Sequence, residues 1–432
     1  MTTCATETKL TWSEDAKAMI PIIPELFRDT AVKMIEKSAM EKGLSEVTAA
    51  DMAEARERIF KMMQVKEKPA LPTARDFLGW QIPRIMTQAA DSITCWVDVD
   101  RVLDRITDKE SWVREWSALG EQFENFGEKA ISENHGATAR VALGAASNYY
   151  RLAQFTINEA NPVKKNLVKK SVDTFTKAGE FHIPAIEPIE IPFNDLTLPG
   201  YFQPAKNKDK APCIVIIHGA DSTKEEMLIN MRMAHLRGFA TATIDGPGQS
   251  EARLRGALFT ADGFSKAVSN LIDYLVDRPE VDSDNIAIWG VCLGGTLALQ
   301  ATAADNRVKA CVDNNGPFSF GQLVKAMPPA WISSINYMAG YGAEDGPVQE
   351  LLDSISAEDA APKITCPVLL VHGVDDPIVP ASQCEAIYEK LGGPKEMFMN
   401  QGGDHCSANV HSFVWPKMFD WLADTLGTDA NA

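Results

Sequence analysis

A chain of 432 residues exceeds one ordinary domain, and its 45% hydrophobic and 23% charged content is that of a folded globular protein. Net charge is −17 and uneven: residues 1–180 hold 25 basic and 27 acidic side chains, the remainder 17 and 32. Affinity for a phosphate backbone or an anionic membrane comes from basic surface, so neither nucleic acid nor membrane is an expected partner. No apolar run approaches the roughly 18–20 residues that span a bilayer. The N-terminus, MTTCATETKLTWSEDAK, lacks a basic start with an apolar core, so a cytoplasmic protein is expected.

Residues 10–58 read as a small helical piece. Thr11 or Ser13 is the candidate cap of its first helix, and Gly43 suits a helix C-terminus. Residues 65–80, with Pro69, Pro72 and Gly79, read as a linker. Further on, Trp112, Trp116, Leu119, Phe123 and Phe126 step by four, three, four and three, one apolar face of a helix. ATARVALGAASNYYRLAQF and NPVKKNLVKKSVDTFTKAGEF add two more helices. No convincing strand pattern precedes about residue 180. The expected division is a helical module at 1–62, a helical cap at 63–180 and a catalytic domain at 181–432.

The pattern changes near His182. HIPAIEPIEIPFNDLTLPGYFQPA reads as strands joined by turns at Asn194-Asp195 and Pro199-Gly200. CIVIIHG, FATATIDGPG, NIAIWG, VKACVDNNG and CPVLLVHG are short apolar strands separated by helical sequence. Such alternation argues for a mainly parallel, doubly wound sheet covered by helices on both faces.

The chemical signal lies in IAIWGVCLGGTLAL. Gly290, Cys292, Gly294 and Gly295 form a G-x-nucleophile-x-G turn, where small residues permit a tight passage from strand to helix. The residue thrust out there meets the helix N-terminus, whose dipole favours a negative charge and lowers a thiol pKa. A nucleophile needs a base, and the base an orienting acid. Asp375 and Asp376 follow the strand CPVLLVHG, and Asp376 has the better spacing. His405, in NQGGDHCS, supplies the base, giving the order nucleophile, acid, histidine. The N–H of Leu293 and that of Ala220, with Asp221 the near alternative, are the candidate oxyanion donors. His218 is read as part of that oxyanion loop, His372 as a packed strand-end residue and Glu251 as structural. Cys406, like Cys4, Cys95, Cys213, Cys311, Cys366 and Cys384, is read as a small core residue, since no CxxC pair or metal spacing occurs. No cofactor or metal is expected.

With these residues in place, about 185–425 resembles the α/β-hydrolase superfamily. About 110–425 resembles its capped members, typified by 2,6-dihydroxypseudooxynicotine hydrolase and the fungal polyketide-shortening hydrolases, through KEE after HGADS, RGFATATIDGPGQSE and LIDYLVDRPEVDSDNIAIWG. The resemblance implies a helical N-terminal cap, frequent homodimers, and cleavage of esters or of carbon–carbon bonds next to carbonyls. Those relatives carry Ser where this chain has Cys292. G-x-C-L-G-G itself resembles dienelactone hydrolase, whose Cys, Asp and His form its triad. Residues 10–58 (W-S-E-D-A, I-P, F-R, I-E-K, G-L-S-E-V-T) resemble the small helical module of a light-independent protochlorophyllide reductase subunit. The expected protein is therefore a cysteine-nucleophile hydrolase of a small molecule, aromatic or polyketide-like, acting through an acyl-thioester. An acyltransferase or thioesterase with the same residues, and an inactive scaffold, are the alternatives.

Overall fold

The computed structural model describes residues 10–23, 25–62, 84–85, 87, 96–206, 208–323, 329–342, 345 and 348–428. The stretch read as a linker, 65–80, and Cys4 and Cys95 lie outside them.

Helices dominate the first 180 residues. Ser13, not Thr11, caps α1 (Glu14–Met19), its side chain accepting from the Ala16 N–H. Thr11 instead belongs to β1 (Thr11–Trp12), which pairs with β2 (Glu46–Val47). These two short strands correct the expectation of an all-helical start, and dipeptide strands carry no alternation to read. Helices α2 (Glu25–Glu41) and α3 (Ala49–Met62) complete this unit around Ala16, Ile35, Ala39 and Met52. After α4 (Trp96–Leu103) come three long helices, α5 (Lys109–Ser132), α6 (Gly136–Gln154) and α7 (Pro162–Gly179). The aromatic stripe forms their core: Trp116 stacks on Tyr149, and the Trp112 indole N–H donates to the Leu152 carbonyl at 2.7 Å. Glycine lets α5 approach α6 closely. A Cβ at Gly120 would meet the Tyr150 ring at 2.8 Å.

The rest is an eight-stranded sheet in the order β10-β9-β8-β7-β5-β6-β4-β3. Its strands are β3 (Glu187–Phe193), β4 (Leu196–Gln203), β5 (Ala211–Ile217), β6 (Ala240–Ile244), β7 (Val281–Val291), β8 (Val308–Asn314), β9 (Val368–Gly373) and β10 (Lys395–Asn400). Strands β5 to β10 run parallel, and β3 and β4 form an antiparallel hairpin joined to β6. The turn expected at Pro199-Gly200 is not there; both residues lie inside β4. Gly200 is needed because a Cβ would meet the Thr243 carbonyl of β6 at 2.6 Å. The expected turn at Asn194-Asp195 does join β3 to β4, with Asn194 at φ +50°.

The helices that matter to the site are α8 (Leu228–His235), α9 (Ala261–Val276), α10 (Leu293–Ala304), α11 (Ala381–Lys390) and α12 (His411–Leu426). α9, α10 and α11 contribute Leu271, Leu297 and Ile387 to the core on one face of the sheet. α8 and α12 contribute Met231 and Phe419 to the core on the other. This is the α/β-hydrolase fold, with a helical N-terminal region beside it. Among the described residues no helix is long and apolar enough to cross a membrane.

The crossing of β7 into α10 tolerates no extra atoms. A Cβ at Gly294 would strike the carbonyl oxygens of Ile217 and His218, the latter at 2.6 Å, whereas one at Gly144 in α6 meets nothing within 4 Å. Gly294→Ala should therefore lower stability by about 1–3 kcal/mol. Gly144→Ala should leave it unchanged or raise it by about 0.5–1 kcal/mol, since a mid-helix glycine is entropically costly. Urea denaturation of the two variants checks this; equal effects would contradict it.

Candidate functional site

Residue 292 occupies the turn between β7 and α10 at φ +58° and ψ −131°. Its N–H donates to the Asn314 carbonyl (2.9 Å), and its own carbonyl accepts from Gly295 (2.8 Å). The side chain is thereby turned out of the sheet toward Gly219, where a Cβ would sit 3.1 Å from Cys292 Cβ. Leu293 opens α10, so its N–H is among those an α-helix leaves without an internal partner. Ala220 lies across the same cavity.

The loop after β9 presents Asp376, and the exposed Asp375 points elsewhere. Asp376 is fully buried and saturated. Oδ1 accepts from the Ile378 and Val379 N–H groups at 2.7 and 3.0 Å; Oδ2 accepts from Asn315 Nδ2 and from His405 Nδ1, both at 2.7 Å. With Nδ1 engaged, the other ring nitrogen of His405 is left free to serve Cys292, which lines the same cavity. The structure thus brings Cys292, His405 and Asp376 together. His372 is buried beside them, its Nε2 bonded to the Val379 carbonyl at 2.8 Å and 3.9 Å from Asp376 Oδ2.

The charges follow from these contacts. The Cys292 thiol is held well below the ordinary thiol range: a hydrogen bond from Cys406 contributes most, burial opposes it, and the charge and hydrogen bond of His405 add to the lowering. Burial would lower His405, but the charges of Asp376 and Cys292 outweigh it and raise the imidazole well above its ordinary value. Asp376 is lowered: burial works upward, and the charge and hydrogen bond of His405 overcome it. Each direction favours the charged form: thiolate at Cys292, imidazolium at His405 and carboxylate at Asp376. Behind the turn, buried Asp313 is pushed up to about 7, chiefly by burial.

Three features escape the sequence reading. Cys406 is not a core filler; it lies on the cavity wall and donates to the Cys292 sulfur. Its backbone is left-handed (φ +60°), and its carbonyl accepts from Trp415 Nε1 at 3.0 Å. Arg84 reaches the site from the N-terminal region. It makes paired bonds to Asp221 (3.0 and 3.0 Å) and to Glu226 (2.7 and 2.8 Å). Glu226 also accepts from Arg151 of α6 at 3.1 Å and from Ser222 at 2.6 Å. The third feature is the anchoring of the 218–226 loop by Asp245. This carboxylate takes the Lys224 N–H (2.9 Å) and Nζ (3.0 Å) and bonds His218 Nε2 (3.1 Å). Glu251 bonds Lys224 Nζ at 2.8 Å, which gives it the structural place expected. In sequence, the only hint of this network was the KEE run just after an apolar strand.

The cavity is walled by Ala220, Met227, Trp289, Pro317, Phe320, Ile335, Ile378 and Trp415, with the sulfurs of Cys292 and Cys406 and His405 at one side. Its volume open to the centre of a water-sized sphere is about 120 Å³, many times what one water needs. Trp112, Tyr149 and Tyr150 take no part in it and belong to the helical core.

Residues 228–429 match the model of the prolyl oligopeptidase family. The chain is 28% identical over 319 residues to a 2,6-dihydropseudooxynicotine hydrolase of Paenarthrobacter nicotinovorans, covering 73% of this chain and 85% of that one. It is 27% identical over 410 residues to a 20-hydroxy-prefusarin hydrolase of Gibberella moniliformis, covering 82% and 97%. The crystal structure of a 2,6-dihydroxy-pseudo-oxynicotine hydrolase superposes with a TM-score of 0.71 at 25% identity, covering 80% of this chain and 97% of that one. The chain therefore has the α/β-hydrolase fold, and it is similar over most of its length to hydrolases of that fold.

Proposed function

We propose that the protein is a cysteine hydrolase that cleaves an ester, a lactone or a carbon–carbon bond next to a carbonyl through an acyl-thioester on Cys292. The observation that carries this reading is the meeting of Cys292 and His405 at the wall of an apolar cavity, with His405 Nδ1 held on Asp376 at 2.7 Å. A serine here would need its proton removed during attack. The thiol is held as thiolate beforehand, so attack on the carbonyl starts from a formed nucleophile.

The sulfur adds to the carbonyl carbon, and the resulting oxyanion lies between the N–H groups of Leu293 and Ala220, donors typically worth about 2.7–4 kcal/mol each to the barrier. The His405 imidazolium then gives its proton to the departing alkoxide or stabilised carbanion. The neutral imidazole next takes a proton from water, which attacks the thioester and frees the acid. Asp376 keeps the proton on Nδ1 and the ring in line throughout. The substrate is a small carbonyl compound with apolar flanks, matching Trp289, Phe320 and Trp415 in the cavity. The relatives' names, which specify a pseudooxynicotine and a prefusarin, support an aromatic or polyketide-like molecule.

With p-nitrophenyl acetate the wild type should show turnover with an initial burst. Cys292→Ala and His405→Ala should each lose at least about a thousandfold in kcat/KM. Retention of activity by Cys292→Ala would contradict the proposal. A second measurement follows from the lowered thiol. Iodoacetamide should alkylate Cys292 at a rate that stays high as pH falls below the ordinary thiol range near about 8.5, because the reactive thiolate persists. Buried Cys213 and Cys384, raised by burial, should stay unlabelled. A Cys292 rate that climbs through that range like a free thiol would argue against the ion pair.

A further inference from the structure

In the acyl-transfer chemistry Cys406 forms no covalent bond. It and Cys292 line one cavity and are partly exposed, and Asn314 joins their backbones, its side-chain amide donating to the Cys406 carbonyl at 3.3 Å and its carbonyl accepting from the Cys292 N–H at 2.9 Å. They come from distant parts of the chain, so their meeting is a product of the fold. The loop carrying Cys406 follows Gly402, at φ +76°, and Gly403. A disulfide needs sulfurs about 2.05 Å apart, so closure requires the two side chains to turn toward each other across the cavity wall.

We propose that Cys292 and Cys406 are a hydroperoxide-sensitive dithiol, in which a hydroperoxide oxidises the Cys292 sulfur and Cys406 closes a disulfide with it. The Cys292 thiolate donates an electron pair to the outer peroxide oxygen. The O–O bond breaks, the sulfur becomes a sulfenic acid, and the leaving oxygen takes a proton from His405 to depart as water or an alcohol. In the second step His405, now neutral, accepts the Cys406 proton. The Cys406 sulfur attacks Cys292, the S–S bond forms, and hydroxide leaves and is protonated to water. Two thiols lose two electrons, and one peroxide gains them.

The first step consumes the negative charge on Cys292. That charge, after burial, is what holds the Cys406 thiol up, so oxidation of the first sulfur eases deprotonation of the second. The structure also contains a comparison pair. Cys311 and Cys366 lie close enough for their charges to interact, yet burial raises both thiols. Neither offers a thiolate, and this pair should stay reduced. The inference needs a thiolate beside a thiol and does not depend on acyl transfer, so either can fail without the other.

The test uses the full-length protein with a stoichiometric amount of hydrogen peroxide, then N-ethylmaleimide in denaturant to block every remaining free thiol, then peptide mapping by mass spectrometry. The expected product is a Cys292–Cys406 linked peptide, reversed by dithiothreitol, with Cys311 and Cys366 alkylated. In Cys406→Ser, Cys292 should instead be trapped by dimedone as sulfenic acid or proceed to sulfinic acid. Wild-type Cys292 passing to sulfinic acid without the linked peptide would overturn the proposal, as would linkage of Cys311 to Cys366 in equal yield. The wild-type map decides the matter even if the variant folds poorly.

Discussion

Holding a non-glycine residue at φ +58° and ψ −131° costs roughly 1–3 kcal/mol, and everything around Cys292 is arranged to impose that conformation. The strand before it is locked in mid-sheet between β5 and β8, and α10 begins at the next residue. Gly294 allows the helix to run against the 217–218 backbone. The consequence is electrostatic as well as geometric. The sulfur stands at the free end of α10 with His405 on one side and Cys406 on another. Three sources of positive potential or hydrogen-bond donation converge on it, and together they outweigh the burial that would keep a thiol neutral.

The opposite wall is held by a different device. The loop carrying Ala220 and Asp221 has almost no regular structure, yet it is fixed from both ends. Asp245 grips it through Lys224 and His218 from the sheet side. Arg84 and Arg151 grip it through Asp221 and Glu226 from the helical region. Arg151, Lys224, Glu226 and Asp245 are buried and bonded, so removing one would strand a charge, a loss of about 3–5 kcal/mol in comparable buried pairs, whereas Arg84 and Asp221 are partly exposed. Arg84 and Arg151, from the first half of the chain, thus brace the loop that carries Ala220.

Much of this was legible from residue types. The alternating apolar strands and helices gave the sheet, and the glycine spacing around Cys292 with Asp376 and His405 downstream picked out the residues that the fold brings together. Pro199-Gly200 was misread because turn residues were assumed to mark a turn, when the glycine serves a close approach between strands. Arg84 could not be read, since its partners lie 137 and 142 residues away and nothing local distinguishes it. Cys406 was passed over for a related reason. A thiol beside a histidine says nothing of direction, and only the left-handed backbone at 406 shows which way it faces.

The central claim is that Cys292 carries the acyl group. Acid quenching of the enzyme during turnover of p-nitrophenyl acetate, followed by peptide mass spectrometry, tests it directly. An acetyl group on the peptide containing Cys292, removed by neutral hydroxylamine and absent in Cys292→Ala, is the predicted result. Acetylation of another residue during turnover, with Cys292 unmodified, would contradict the account.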